Sequence, residues 1–419
     1  MKKNYLAIIA MMFLGSYAIA QVKIDAELRP RFEYRHGFKT LFPDNVDPAA
    51  FVSQRTRLNA TYSDEKLEFY LSIQDIRVWG DVPQLNSSDN NGLGIYQAWG
   101  EIKFTPSLSV KLGRQALSYD DQRILGGVGW AQQARSHDVA LLKIKKNKFS
   151  LHLGAGFNQD GETLTGTTLN TNTYKAMQYV WFNQKWENLG ASFLLLNNGM
   201  QYIDNVNSSD NDTRYSQTLG THLGYNKNNF SLMANLYYQT GKDVNNNDLS
   251  AHLLGAEANY NVNPKWKLIL GAELQSGNDN GAPSSGDNNA FTPLYGTNHK
   301  FNGHMDYFYV GNHSNNVGLL DLYLGTTIKT SNKTDFSIRV HNFNAAADMA
   351  SNASKQLGTE ADLAFNYNFS EAINIKAGYS QMFASEGMEY LKNNFDDNMN
   401  NWGWVMVTIK PTLFTSANK

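Results

Sequence analysis

The sequence of 419 residues has no cysteine, only 9 prolines and, past its first residues, no long apolar run. The missing cysteines exclude disulfides, thiolate zinc sites and cysteine nucleophiles. The mean hydropathy of −0.46 excludes a bundle of transmembrane helices, because each helix needs about 20 apolar residues. The net charge is −2, so the protein lacks the excess of basic residues that is typical of nucleic-acid-binding proteins. The 33 glycines and 12% aromatic residues suit many strands joined by polar loops.

The N-terminal segment Met1–Ala20 has the three parts of a signal peptide. Lys2 and Lys3 precede a largely apolar run, and small residues at Ala18 and Ala20 form a cleavage pattern. An N-terminal membrane anchor is the alternative, but the apolar run is too short for one. We expect residues 1–20 to be removed on export and residues 21–419 to form a single domain.

Most of the remaining chain alternates between polar and apolar residues with a period of two. In Lys23–Arg35 every second residue is charged, and the residues between them are apolar. In a β-strand these two sets point to opposite faces. The pattern returns in segments that include Phe149–Phe157, Trp266–Leu274 and Ile373–Phe383. A soluble β-protein would show the same alternation, but the signal peptide and the aromatic residues at the ends of the apolar rows favour a transmembrane barrel.

The lengths of the connections indicate the same architecture. Short turns such as Asp64–Lys66 alternate with long polar stretches such as Gly277–Asn316. In an outer-membrane barrel the short turns face the periplasm and the long loops face the outside. The count predicts an all-β protein, a single closed antiparallel transmembrane barrel of about 18 strands. Closure requires Trp402–Phe414 to pair with Val22–Arg35, because an open edge in lipid leaves backbone groups unpaired.

A barrel of this size encloses a water-filled channel, so the function depends on the inward residues. The N-terminal third is rich in arginine, and carboxylates such as Glu27 and Glu101 interleave with it. One interpretation is a wall stabilised by ion pairs, and the other is an anion-selective path, since guanidinium binds carboxylate through two parallel hydrogen bonds. Asp75, Arg77 and Arg114 share the parity of apolar neighbours, so they reach the channel only past a bulge or at a strand end.

Three segments carry a resemblance to a known family. They are GRQALSYDDQRILGGVGWAQQARSHD at 113–138, QRTRLN at 54–59 and QDIRVWG at 74–80. In these motifs the chain resembles the alginate export family of outer-membrane proteins. The resemblance implies a barrel of 18 strands with an electropositive pore for anionic polysaccharide. By motif position it indicates pore-lining roles for Arg55, Arg57, Asp75, Arg77, Arg114, Asp121, Arg123 and Arg135. The turn Asn368–Ala372 is shorter than the family exporter's occluding turn, which weakens the case for periplasmic gating and for alginate itself.

The strand pattern and the resemblance together predict a set of residues along the solute path. It comprises Arg29, Arg31, Arg55, Arg57, Asp75, Arg77, Arg114, Asp121, Arg123, Arg135, Lys143 and Arg339. The predicted function is an outer-membrane channel for anionic polysaccharide or acidic oligosaccharide, and the alternative is a general or weakly anion-selective porin. The expected partners are outer-membrane lipid, the solute and, for an exporter, periplasmic machinery. No cofactor or nucleic acid is expected.

Other functions have weaker support in the sequence. The 9 histidines are scattered and no Gly-x-Ser-x-Gly motif occurs, which argues against an enzyme. His299, Lys300, His304 and Asp306 lie in the long loop Tyr295–Gly311, where we favour a folded loop partly turned into the channel mouth over a sugar contact, and either over a metal site. Calcium binding by Asn- and Asp-rich loop tips is the less favoured interpretation, and no metal site is predicted.

Overall fold

The computed structural model describes residues 20–85, 92–204, 211–284, 286–313 and 316–416. Residues 1–19, which contain nearly all of the predicted signal peptide, lie outside this range. Almost all of the regular secondary structure in the described chain is β-strand. Among these residues we found no helix with the length and apolar character needed to cross a membrane.

In the described ranges, twenty strands form one antiparallel sheet, apart from a short parallel pairing. They are β1 (Gln21–His36), β2 (Ala49–Ser63), β3 (Leu67–Val78), β4 (Gly94–Thr105), β5 (Leu108–Gln115), β6 (His137–Lys146), β7 (Phe149–Phe157), β8 (Tyr174–Lys185), β9 (Leu189–Tyr202), β10 (Asp212–Lys227), β11 (Phe230–Lys242), β12 (Asp248–Asn263), β13 (Trp266–Gln275), β14 (Asp287–Asn288), β15 (Leu319–Lys329), β16 (Thr334–Asn344), β17 (Gln356–Asn368), β18 (Ile373–Ala384), β19 (Asn400–Ile409) and β20 (Thr412–Thr415). One α-helix, α1 (Glu386–Lys392), follows β18.

The sheet closes between its first and last strands. Phe32 of β1 pairs with Val405 of β19, and Ile24 pairs with Phe414 of β20. The last strand is divided because Pro411 has no N–H to donate to the ladder; β20 continues it. β14 is a two-residue strand inside a loop. The described chain therefore forms a closed barrel of 18 strands, which confirms the predicted fold and the predicted closure.

The alternation of the sequence becomes the two faces of the wall. On β1, Leu28 and Phe32 are 36% and 44% exposed on the outside, whereas Arg29 and Arg31 between them are 6% and 5% exposed. On β13 the outward Leu268 is 41% exposed. A soluble β-protein would bury these leucines. Their outward position is the one expected where lipid, not protein, covers the apolar rows.

Two of the long loops fold back into the barrel. Loop 3 (116–136) follows β5, and loop 7 (276–318) follows β13. Each brings apolar residues against the inner wall: Leu117 and Leu125 pack with Leu194 and Leu253. In loop 7, Met305, Tyr307 and Phe308 pack with inward residues of β16 and β19. The loops meet each other, since Gly126 N–H donates to the carbonyl of Tyr295 at 2.9 Å. The lumen is thus partly filled by loops with small cores of their own.

Candidate functional site: the charged lumen

The basic sector of the lumen lies on β1 and β2. Arg29 pairs directly with Arg55, and Arg57 pairs with Glu27, so the guanidinium groups lie in adjacent inward rows. Glu27 accepts from Arg55 Nε at 2.9 Å, and Glu33 accepts from Arg31 Nε at 2.8 Å. These carboxylates offset part of the repulsion between neighbouring cations.

The same arginines hold loop 3 through its main chain. Arg29 donates to the carbonyls of Gly129 and Trp130 at 2.7 and 3.1 Å, and Arg31 donates to Trp130 at 2.6 Å. Arg55 reaches the carbonyl of Gln132 at 3.2 Å. Arg57 reaches that of the following residue, Gln133, at 3.3 Å. The four predicted arginines do point inward, but they contact a loop and are each less than 9% exposed.

An acidic sector lies on β13, β15 and β17, and it holds loop 7. The N–H groups of Met305 and His304 donate to Glu360 at 2.8 Å and to Asp362 at 3.3 Å. Asn302 Nδ2 donates to Asp321 at 3.2 Å. Carboxylates here accept from the loop, whereas guanidiniums in the basic sector donate to one.

Arg123 connects loop 3 to the acidic sector. Its Nη2 lies 2.5 Å from Glu273 of β13 and 3.0 Å from Asn302 Oδ1, and its guanidinium lies over the ring of Phe301 at 4.5 Å. The residue is 1% exposed. Asn298 also accepts from it at 3.1 Å. Arg123 therefore lies inside the barrel with both Nη atoms paired, while its buried Nε has no hydrogen-bond partner among the described residues.

The remaining inward residues of the predicted set are spread along the lumen. Asp121 accepts from Asn235 at 2.6 Å, and Lys143 donates to Glu101 at 2.8 Å. Arg135 donates to the carbonyl of Gly296 at 3.2 Å, and burial lowers its pKa. Arg339 lies 3.4 Å from a carboxylate of β12, Glu257.

Three predicted residues are placed differently by the register of the strands. Asp75 and Arg77 pair with Thr56 and Gln54, which alternate with the inward Arg55 and Arg57. A bulge does occur in the β3–β4 ladder, after Ser72, but it adds a residue to β4 and leaves the pairing of β3 with β2 unshifted. By this pairing both residues lie on the outward row, where they form an ion pair of 2.7 Å. Arg77, at the loop end of β3, also borders the cavity lined by Arg31 and Lys39.

Arg114 is also outward. It pairs with Ala98 and Asp138, on the row of the exposed Leu112, and the side chains of Arg114 and Asp138 form an ion pair of 2.7 Å while 43% and 56% exposed. No bulge intervenes between Val110 and Arg114, so the register does not support the pore role that the family motif indicated.

The loops leave two cavities in the lumen. A vestibule of about 470 Å³ opens among loop 1 (37–48, between β1 and β2), loop 3 and loop 7. Its lining includes Arg31, Arg35, Phe38, Lys39, Trp130 and Tyr309. A deeper cavity of about 100 Å³ lies against the acidic sector, and its lining includes Asp121, Glu257, Lys300, Phe301 and Arg339. Between them, Trp130 of loop 3 stacks on His299 of loop 7 with ring centres 4.5 Å apart.

The candidate metal or sugar group in loop 7 is part of this packing. His299 Nδ1 lies 2.8 Å from Asp306, and Lys300 donates to the carbonyl of Asp121 at 2.8 Å. Within the described ranges, no three His, Asp or Glu side chains are arranged to hold a metal ion. Tyr307 is buried and its hydroxyl donates to the carbonyl of Gly37 at 2.6 Å, so it serves packing. Tyr309, by contrast, is among the residues that line the vestibule.

Two cations that matter for access were absent from the predicted set. The side chain of Arg35 is 34% exposed, and Lys39 lies in loop 1. Arg35 continues the charged row of β1, so the alternation could have identified it. Lys39 lies beyond the alternating segment, and only the folded loop brings it to the vestibule.

Comparison with known proteins now places the chain. The family model described as alginate export matches residues 20–403, nearly the whole sequence. The chain belongs to the alginate export family. This family and the closed barrel are those of outer-membrane channels, which are not enzymes. The protein is therefore an outer-membrane channel in contact with lipid. Among curated protein sequences, none matches it.

Solved structures with the same fold are outer-membrane channels of low sequence identity. OccK11 (OpdR) of Pseudomonas aeruginosa has 11% identity and a TM-score of 0.62, over 94% of this chain and 96% of that one. OccAB4 of Acinetobacter baumannii has 12% identity and a TM-score of 0.64, over 94% and 98%. OccK2 (OpdF) of Pseudomonas aeruginosa, solved in complex with glucuronate, has 13% identity and a TM-score of 0.61, over 94% and 98%. At this identity the likeness concerns the fold.

Proposed function

We propose that this channel passes acidic oligosaccharides or an anionic polysaccharide, of the polyuronate type, along an arginine-lined path. The observation that supports it most is the basic sector of Arg29, Arg31, Arg55 and Arg57. All four guanidiniums point inward, and all four are hydrogen-bonded to main-chain carbonyls of loop 3. If the solute moves outward, periplasmic export machinery is the further partner.

The mechanism follows from the strengths of two kinds of hydrogen bond. A sugar carboxylate can accept two parallel hydrogen bonds from one guanidinium, and it adds an ionic attraction that a neutral carbonyl lacks. A polyuronate that enters the vestibule therefore competes with loop 3 for the same donors. The carboxylates Glu27 and Glu33, bonded to Arg55 and Arg31, weaken the hold on the solute. Conduction needs sites that a solute can leave.

The other predicted inward residues divide into two groups under this proposal. Arg339, with Lys300, lines the deeper cavity and continues the cationic path below the loops. Arg123, Arg135, Lys143 and Asp121 are held by carboxylates, carbonyls or amides, so we assign them to support of the loops and the wall.

The alternative is a general or weakly anion-selective diffusion porin. It is favoured by the pairing of Arg31 with Glu33 and of Arg55 with Glu27, since paired charges produce a weaker net field.

Planar-bilayer recordings test the proposal against this alternative. We expect anion selectivity in a salt gradient, and blockade of the current by tetragalacturonate but not by the neutral maltotetraose. Cation selectivity would contradict the arginine path. Equal blockade by the charged and neutral oligosaccharides would establish the general porin instead.

A further inference from the structure

We propose that Lys39 and Arg35 form the entry site of the channel, which binds a carboxylated sugar residue at the extracellular vestibule. The inference rests on the proposed function, because it names where an acidic sugar is first bound. It separates the cations that a solute meets from those that hold loop 3.

The ammonium group of Lys39 has no competing partner. Within the described part of the chain, its Nζ makes no hydrogen bond or ion pair, and its contacts are the rings of Tyr309 at 4.7 Å and Phe38 at 5.6 Å. A charged group that lines a cavity with unused donors retains its capacity to bind an anion. By contrast, the guanidinium donors of Arg29 and Arg31 are already hydrogen-bonded to loop 3 and to Glu33.

The backbone of Lys39 is held in a costly conformation. Its φ is +69°, in the left-handed region that side chains with a Cβ rarely adopt. Loop 7 imposes this conformation from both sides: the N–H of Lys39 donates to the carbonyl of Met305 at 2.9 Å, and Asn312 Nδ2 donates to the carbonyl of Lys39 at 2.7 Å. Strain of this kind persists only where surrounding contacts determine it. Here the result is an ammonium group aimed into the vestibule.

Arg35 supplies the second cation beside the first. Its guanidinium lies 4.3 Å from the centre of the Phe38 ring, the ring that Lys39 also contacts, and 4.8 Å from that of Phe51. Its Nε and Nη2 both donate to Oε2 of Glu33, at 3.0 and 2.9 Å. Nη1 has no hydrogen-bond acceptor in the described structure, so one face of the fork is available to a solute.

The carboxylates around the vestibule do little to cancel these charges. Glu33 is 1% exposed and bonded to Arg31, Arg35 and Trp402, while Asp306 is 6% exposed and bonded to His299. Asp81, three residues after β3, is an exposed carboxylate of the lining, and one of its oxygens accepts from the N–H of Val78 at 3.0 Å. The cavity of about 470 Å³ is large enough for a sugar ring. Cations beside the aromatic side chains Phe38, Phe51 and Tyr309 suit a ligand that has both a carboxylate and apolar C–H groups, as a uronate residue does.

The test compares blockade by tetragalacturonate added to the two sides of a bilayer. For Lys39→Gln we expect the association rate from the extracellular side to fall about tenfold, the loss of one hydrogen bond to a charged group. The rate from the periplasmic side should stay unchanged. Lys39→Arg, which keeps the charge, should retain the wild-type rate. The matched control is Lys242→Gln, because Lys242 is an extracellular lysine in an exposed ion pair with Asp248.

Each outcome decides a different claim. If Lys39→Gln and wild type are blocked equally from outside, or if Lys39→Arg loses as much as Lys39→Gln, the entry site is wrong and the proposed function stands. If wild type is blocked only from the periplasmic side, the entry site is again wrong. If tetragalacturonate blocks from neither side, both proposals fall together. Folding is checked for every variant by heat-modifiable migration and by wild-type conductance.

Discussion

The basic sector on β1 and β2 and the acidic sector on β13, β15 and β17 perform the same structural task with opposite atoms. In the first, guanidinium groups donate to the carbonyls of loop 3, as Arg29 does to Gly129 at 2.7 Å. In the second, carboxylates accept from loop 7, as Glu360 does from Met305 at 2.8 Å. A peptide loop offers both donors and acceptors, so either sign of charge can hold one.

This comparison teaches that an inward charge is not the same as a charge available to a solute. Arg29 and Glu360 both point into the lumen, yet they are 6% and 0% exposed. The charged groups that reach water are those whose hydrogen-bonding atoms are not all occupied by the loops, such as Arg35 and Lys39 in the vestibule. Selectivity and loop attachment can therefore be changed separately, and four experiments test this.

The largest effect is expected from the basic sector. Arg29→Met removes donors to Gly129, Trp130, Ala131 and the side chain of Gln132. Each bond to a charged group contributes roughly 1.5–3 kcal/mol, so the end of loop 3 should detach. We expect a severalfold higher single-channel conductance and passage of larger neutral polymers. An unchanged conductance in a folded variant would show that loop 3 does not depend on this arginine.

The acidic sector is tested through the ion pair between its Glu273 and Arg123 of loop 3. Breaking the buried Arg123–Glu273 pair by Glu273→Gln or Arg123→Met should cost about 3–5 kcal/mol, because one charge is left uncompensated. The double variant, with no charge left over, should be less destabilised than the sum of the single variants. Thermal unfolding in detergent measures this. Simple additivity would mean that the ion pair of 2.5 Å is not coupled.

A smaller effect is expected from pH, which should change how firmly the end of loop 7 is held just before β15. His313 Nε2 donates to the carbonyl of Gly318 at 2.9 Å, and burial lowers the pKa of His313 to about 4. When the loop is undocked, His313 has its ordinary pKa of about 6.5 and binds the proton more tightly than in the docked loop. Docking therefore weakens as the pH falls from about 6.5 towards 4. Gating events in bilayers should become more frequent over this window. The control His313→Gln, which keeps a donor but does not titrate, should flatten the dependence.

The smallest effect is expected on the lipid-facing row. Arg114→Gln removes one positive charge, as Arg29→Met does, but from an exposed outward ion pair with Asp138. Exposed pairs contribute only about 0–1 kcal/mol. Conductance and ion selectivity should match wild type in the same recordings. A loss of anion preference here would contradict the outward assignment and restore Arg114 to the path.

Much of the fold could be predicted from the sequence because a barrel wall repeats one rule. Every strand alternates lipid-facing and lumen-facing residues, and a register error of one residue would expose Arg29 and Arg31 to lipid. For Asp75, Arg77 and Arg114 the family motif indicates pore-lining roles, whereas their own parity puts them on the outward row. The strand register follows the parity, and Arg77 borders the vestibule only because it lies at the loop end of β3.

The loops could not be predicted in the same way. Nothing in the spacing of Arg123 and Glu273, 150 residues apart, indicates that they form an ion pair. The packing of Trp130 against His299 is of the same kind, since it joins two separate loops. Loop contacts depend on three-dimensional proximity and have no period, so the candidate group of His299, Lys300, His304 and Asp306 could be noticed but not interpreted.

The amino-acid sequence by itself determined the wall: which residues face lipid, which face the lumen, and that the sheet must close into a ring. It did so because unpaired backbone and charged side chains are both costly in a bilayer, and that penalty acts on every strand separately. Only the tertiary structure decided which inward charges are accessible to a solute. That outcome depends on where loops 3 and 7 come to rest, because a carbonyl or an N–H from a distant loop occupies the same donor or acceptor that a sugar carboxylate would otherwise use.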